Sequence, residues 1–281
     1  MSFWQSNPLA LPQLLAAISA GIASWFAWRR RKDTSSGIWV LGMLVAAMWW
    51  SVMGALGILA ATLPAKMIFS QIGYIGIVLT PLFFWRYAYS YSFESNDPPL
   101  WLHRSLELVA GITLLLVFTN PRHGLVWSDL HLLHIDGYSY VIYERGFWYW
   151  INVAFGYGLM VSSTVMLIRH AWISTGTFRH QSQVMLLAAA CPWLFSIADT
   201  LQIGPFFYVD STPVGFVVTG ILLGWNMLRR GLMDVEPVAT RTLFERMTDP
   251  VFVVDKRDHL VLANPAALAR FGLPLHHVGQ P

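Results

Sequence analysis

Seven apolar runs constrain this chain more than any other feature, because about twenty apolar residues are needed to cross the roughly 30 Å hydrocarbon core of a bilayer. The runs cover residues 8 to 28, 37 to 61, 67 to 91, 105 to 119, 147 to 169, 183 to 203 and 213 to 229. The fourth, LELVAGITLLLVFTN, is the shortest. Composition agrees with a membrane protein: 56% of the 281 residues are hydrophobic and 12% are charged, about half the charged share of a soluble domain. The chain opens MSFWQSNPLALPQ with no basic residue before the first run, so that run reads as a retained span, not a cleaved signal peptide. With Cys191 as the sole cysteine, no intrachain disulfide can form. The expected fold is therefore an all-α membrane protein, a seven-transmembrane helix bundle.

Basic residues in the short connections set the orientation. With the N-terminus outside, the cytoplasmic connections hold Arg29, Arg30, Arg31, Lys32, Arg86, Arg104, Arg169, Arg179, Arg229 and Arg230, ten in all, against Lys66, Arg122 and Arg145 outside. Ten against three places the C-terminus in the cytoplasm. The run Arg29 to Lys32 reads as an orientation signal beside anionic lipid, with a specific lipid site as the alternative. Arg86, at the inner end of the third run, is expected to snorkel to the headgroups. Trp25, Trp28, Trp39, Trp148 and Trp150 fit an interfacial aromatic belt.

Between the fourth and fifth runs lies TNPRHGLVWSDLHLLHIDGYSY, Thr119 to Tyr140, which carries three of the nine histidines and two aspartates. His131 and His134, three apart, would share one face of a helix, and Asp129 or Asp136 would complete a zinc shell. No Cys and no HExxH pattern accompanies them, so the metal reading is set aside and the stretch is expected to be a polar outer loop. Asp199, in CPWLFSIADTLQIG, lies about one helical turn before the outer end of the sixth run. A carboxylate at that depth points either to a polar pocket or to a structural hydrogen bond with a neighbouring helix. Pro192, seven residues earlier, is expected to kink that helix. Asp210, Ser211 and Thr212 before Pro213 read as a helix start.

After Trp225 the pattern changes to MDVEPVATRTLFERMTDPVFVVDKRDHLVLANPAALARFG. Leu243 to Met247 suits an amphipathic helix, and VFVVD and HLVLAN suit two strands joined by Lys256, Arg257 and Asp258. Asn264 before Pro265 is an N-cap followed by a first-turn proline. About forty residues of this kind do not enclose a core alone.

Asp249 to Gly272, with its strand, turn and Asn264-Pro265-Ala266-Ala267 helix entry, resembles the opening of a PAS domain. Since a PAS domain is longer than this tail, the chain is expected to be a fragment or to have lost its output region. The membrane part resembles the N-terminal seven-helix region of bacterial histidine kinases. Thr119-Asn120-Pro121, His123 and Trp127-Ser128 match its outer-loop signature, Pro192 its sixth helix, Asp210, Thr212 and Pro213 its seventh-helix entry, and Pro237-Val238-Ala239 its exit. The resemblance implies three parts: a sensor at 1–229, a cytoplasmic signalling linker at 230–247 and the start of a PAS domain, an α+β segment, at 248–281. It also implies a bacterial plasma-membrane receptor for a small, partly apolar ligand. Such a receptor relays to a histidine kinase with a response regulator, or in some members to a diguanylate cyclase, and works as a homodimer.

On this reading Asp199, His123, Asn120 and Trp127 are the sensing residues, and Arg229, Arg230 and Pro237 transmit the signal. For His123 a hydrogen bond within the loop competes with a ligand contact. No cofactor, metal or nucleic-acid partner is expected. Lysines occur only at Lys32, Lys66 and Lys256, outside the apolar runs, which excludes a retinal Schiff base in a seventh helix. No P-loop, GxGxxG or HExxH pattern occurs, so residues 1 to 281 hold no recognisable catalytic constellation. The competing class is a proton- or solute-coupled transporter with Asp199 as the coupling site.

Overall fold

The computed structural model describes residues 3–31, 36–93, 97–135, 137–173, 187, 190–197, 201, 212, 215, 244, 246–254 and 260–271. The chain divides into two units, 1–233 and 234–281.

In the first unit, five described helices are long and apolar enough to cross a membrane. They are α1 (Ala10–Arg30), α2 (Gly37–Leu59), α3 (Leu63–Ser92), α4 (Leu100–Thr119) and α5 (Phe147–Ile173). Four match the apolar runs within a few residues. The fourth begins five residues earlier than expected, directly after Pro99, whose extended backbone (φ −50°, ψ 134°) ends the preceding segment and starts the helix. Asp199, Arg229, Arg230 and Pro237 lie outside the described residues, as do Asp210 and Pro213. Pro192 is buried within the helical residues 190–197, and Thr212 is helical and buried.

Packing of α1, α2 and α3 follows from small residues, as it must where lipid removes the usual hydrophobic drive between helices. Ala16, Ala20, Ala23 and Ala27 recur at helical spacing on α1 and are all buried. Ala46, Ala47, Ser51 and Ala55 do the same on α2. At Gly76 of α3 a Cβ would meet the Ala46 carbonyl oxygen at 2.6 Å and the Trp50 Cβ at 2.7 Å, so glycine is required where these two backbones touch. α3 also packs against α4 and α5. Buried hydroxyls return to their own helices: Ser24 donates to the Ala20 carbonyl, Ser51 to Ala47 and Thr80 to Gly76.

The bundle is not purely helical, which corrects the all-α expectation. Between α4 and α5 the chain makes a 3₁₀ turn (Asn120–Arg122) and then an antiparallel hairpin, β1 (Trp127–Ile135) with β2 (Tyr138–Arg145). His131 and His134 therefore share no helical face. Three apart on a strand, they point to opposite sides of the hairpin, because strand side chains alternate.

In the second unit β3 (Phe252–Val254) pairs antiparallel with β4 (Leu260–Ala263), followed by a helix at Pro265–Phe271. This is the expected hairpin and helix. Asn264, fully buried, caps that helix through Oδ1, which accepts from the Ala267 amide at 2.9 Å and the Val251 amide at 3.0 Å. Its Nδ2 donates to the Asp249 carbonyl at 2.8 Å, tying strand, turn and helix to one side chain. Of the expected helix Leu243 to Met247, Phe244, Arg246 and Met247 are described; the first two are helical, and Met247 lies past the helix end.

Candidate functional site

At the hairpin end of the bundle, Asn120 organises the turn out of α4. Its side chain is buried, and Oδ1 accepts from the Val126 amide at 2.9 Å and the Trp127 amide at 3.2 Å, while Nδ2 donates to the Trp127 carbonyl at 3.0 Å. Only an amide supplies donor and acceptor in this arrangement. Its backbone carbonyl accepts from His123 and Gly124, the latter in left-handed conformation (φ +62°), which closes the helix. The neighbouring stretch is held from the other side. Gly146 N–H donates to the Val126 carbonyl and Trp148 N–H to that of Leu125, so residues 125–127 are paired on both edges.

Trp127, buried by this clamp, packs edge-on to Tyr74 of α3 with centroids 5.5 Å apart and tilted against Tyr143 of β2 at 5.5 Å. Tyr143 reaches the Ser70 hydroxyl on α3. Trp148 Nε1 donates to Thr113 of α4 at 3.1 Å, and Gln71 Nε2 to the Val117 carbonyl at 3.0 Å. Trp148 thus faces the bundle and is not a simple member of an interfacial belt.

His123 is exposed, and both ring nitrogens are occupied within the turn. Nδ1 accepts from the Leu125 amide at 3.1 Å, so the proton sits on Nε2, which donates to Thr119 Oγ1 at 3.0 Å. Thr119 in turn donates to the Leu115 carbonyl at 2.7 Å. Asn120, His123 and Trp127 are thus brought into one structure.

The sequence reading did not single out Gln5, and nothing local signals its role, because its partners lie 53 and 134 residues away. Its Oε1 accepts from the Ser139 amide at 2.8 Å, and its Nε2 donates to the Ser139 carbonyl at 3.0 Å and the Ile58 carbonyl at 2.7 Å. One amide so takes the place of a third strand at the edge of β2 and joins it to the end of α2. Backbone pairing of Phe3 and Gln5 with Ala61 and Leu59 holds the N-terminal segment there. Lys66, buried at the start of α3, donates to the Gly57 carbonyl at 2.9 Å, capping α2 at the negative end of its dipole.

On the solvent face of the hairpin His131 Nε2 lies 3.2 Å from Asp129 and 3.7 Å from Glu144, the cross-strand partner of Asp129. All three side chains are more than half exposed, and no group of three metal-ligating side chains with metal-holding geometry occurs among the described residues.

The opposite end is built from charge. Arg86 does not snorkel to open headgroups as expected. Its side chain is 9% exposed, with the guanidinium 4.3 Å over the Trp39 ring of α2 and Nη2 3.2 Å from Asp97. The short approach to α4 brings Asp97 back over α3 and makes that inward position available.

This architecture can be set beside known proteins. The family described as the N-terminal 7TM region of histidine kinase matches residues 12–237, and a PAS domain matches residues 240–281. The chain belongs to this family. As a histidine kinase 7TM region followed by a PAS domain, it is a membrane protein of signal transduction in a two-component context. No curated protein matches the chain.

Proposed function

We propose that this histidine kinase sensor region binds a small, partly apolar ligand in the hairpin half of the bundle and relays its presence to a cytoplasmic kinase. The hairpin carries this reading. It is fixed by directional hydrogen bonds to the turn after α4, to the end of α2 through Gln5 and to α3 through Tyr143, so displacing it must disturb several helix ends together. A ligand acts by preferring one of two such arrangements. Asn120 and Trp127 shape the pocket wall, and His123 and Asp199 offer polar contacts to the ligand. The signal passes through the seventh helix, Arg229, Arg230 and Pro237 into the PAS domain. The N-terminus lies outside and the C-terminus in the cytoplasm of a bacterial plasma membrane. The receptor works as a homodimer that phosphorylates a response regulator.

The test uses the full-length gene product in membrane vesicles, with output measured as phosphate incorporated from ATP. Replacing residues 128–144 by a short Gly-Ser linker is expected to change basal output several-fold at unchanged membrane yield. With a panel of small amphiphiles, Asp199→Ala and His123→Ala are expected to shift the dose response of the active one. Unchanged output and dose response in all three would remove the hairpin half from sensing. Proton flux into liposomes that disappears in Asp199→Asn would replace the receptor by a transporter.

A further inference from the structure

We propose that the arginine end of α1 binds the headgroups of anionic phospholipids through two separate stacked Trp and Arg pairs. Arg29 lies 4.1 Å over the ring of Trp25, and Arg31 lies 4.7 Å over the ring of Trp28. Both tryptophans are about half exposed. Stacking on an indole face engages the flat side of a guanidinium and leaves its in-plane N–H groups available. Arg31 spends one of them on the Trp28 carbonyl at 2.6 Å. Neither arginine makes an ion pair among the described residues, whereas Arg86 and Arg104 each face a carboxylate. Each guanidinium is held by an aromatic ring, keeps in-plane donors and faces no carboxylate among the described residues, so each fits the oxygens of a lipid phosphate.

The rest of α1 says why the phosphate belongs to a lipid. Leu11, Leu15, Ile18, Ile22 and Trp25 are all exposed, by 49% to 60%, and recur three or four residues apart, so they form one face that ends at Arg29. That face is about 27 Å long at 1.5 Å per residue, close to the thickness of the hydrocarbon core. The opposite face, through Ala16, Ala20, Ala23 and Ala27, is buried in the bundle. Acyl chains lying along the exposed face bring a headgroup level with Trp25 and Arg29. The negative charge of an anionic lipid distinguishes it from a zwitterionic one at this position.

The experiment is native mass spectrometry of the detergent-purified full chain, titrated with phosphatidylglycerol or phosphatidylcholine. Wild type is expected to retain phosphatidylglycerol preferentially, and Arg29→Gln/Arg31→Gln to weaken that binding about twenty-five-fold, roughly fivefold per arginine. Arg122→Gln, at the hairpin end, is expected to leave it unchanged. Because neutralising both arginines also weakens an orientation signal, Arg29→Lys/Arg31→Lys is the second variant. It keeps the charge and loses the stacked fork, and a several-fold loss is expected. Equal binding of the two lipids by wild type, or full preference in the lysine variant, would overturn the site. So would displacement of phosphatidylglycerol by excess inorganic phosphate, which would make the ligand a soluble anion.

Discussion

The hairpin end and the arginine end of the bundle solve the same problem, fixing the helix termini, with different chemistry. At the hairpin end Asn120 and Gln5 use neutral amides against backbone groups, five contacts of 2.7 to 3.0 Å and one of 3.2 Å. At the arginine end Arg29, Arg31 and Arg86 use cation–π contacts of 4.1 to 4.7 Å and an ion pair whose carboxylate is 88% exposed. Amide clamps demand one geometry and do not depend on salt. Charge pairs tolerate sliding and are screened by ions and by lipid headgroups. One end is thereby suited to holding a shape and the other to responding to its surroundings.

The largest effect that would sharpen this contrast is Asn120→Ala. It strands two buried amides and a carbonyl at Val126 and Trp127, at about 3 to 4 kcal/mol in total. Thermal unfolding in lipid at low and high salt should show the same loss in both, and a salt-dependent loss would break the contrast. Gln5→Ala follows at about 1 to 2 kcal/mol, because its partners are only partly buried. Faster hydrogen exchange at the Ser139 amide is its signature, and unchanged exchange would remove Gln5 as a strand substitute. Asp97→Asn, at the other end, is expected to cost less than about 1 kcal/mol, and that cost should shrink with added salt. Smallest is His131→Ala, within about 0.5 kcal/mol, since its partners are exposed on the hairpin surface. Unfolding curves matching wild type would confirm that the exposed His131 cluster adds little to the order that Asn120 supplies.

The helices were legible because a bilayer imposes length and apolarity on each span, and a run such as residues 37 to 61 satisfies both without reference to anything else. The start of α4 lies ahead of its apolar run because Pro98 and Pro99 set it, whereas His103 and Arg104 lower the hydropathy of the first turn. The hairpin likewise departs from its expectation, a polar outer loop. Asp136-Gly137 between alternating residues is a two-residue hairpin signal, and Gly137 has φ +82°, whereas helical spacing of His131 and His134 points elsewhere. Asn120, His123 and Trp127 were legible through family resemblance, while their hydrogen bonds were not. Gln5 and the inward turn of Arg86 depend on partners brought close only by the fold, so no local pattern could show them. In the second unit Asn264-Pro265 gave the helix start outright, because capping is a local event.

The contact at Gly76 also fixes how α2 and α3 can move. Their backbones touch near the middle of both helices, with about 20 Å of α3 on one side of the contact and about 24 Å on the other at 1.5 Å per residue. The same two helices also meet where Gly42 faces Phe83 and Gly73 faces Met53, and Trp49 Nε1 donates to the Ile72 carbonyl at 3.0 Å, so they are held together along most of their length. A push on α3 beneath the hairpin therefore carries α2 with it as one packed pair, and an alanine at Gly76, its Cβ 2.6 Å from the Ala46 carbonyl oxygen, would force the two helices apart at mid-span.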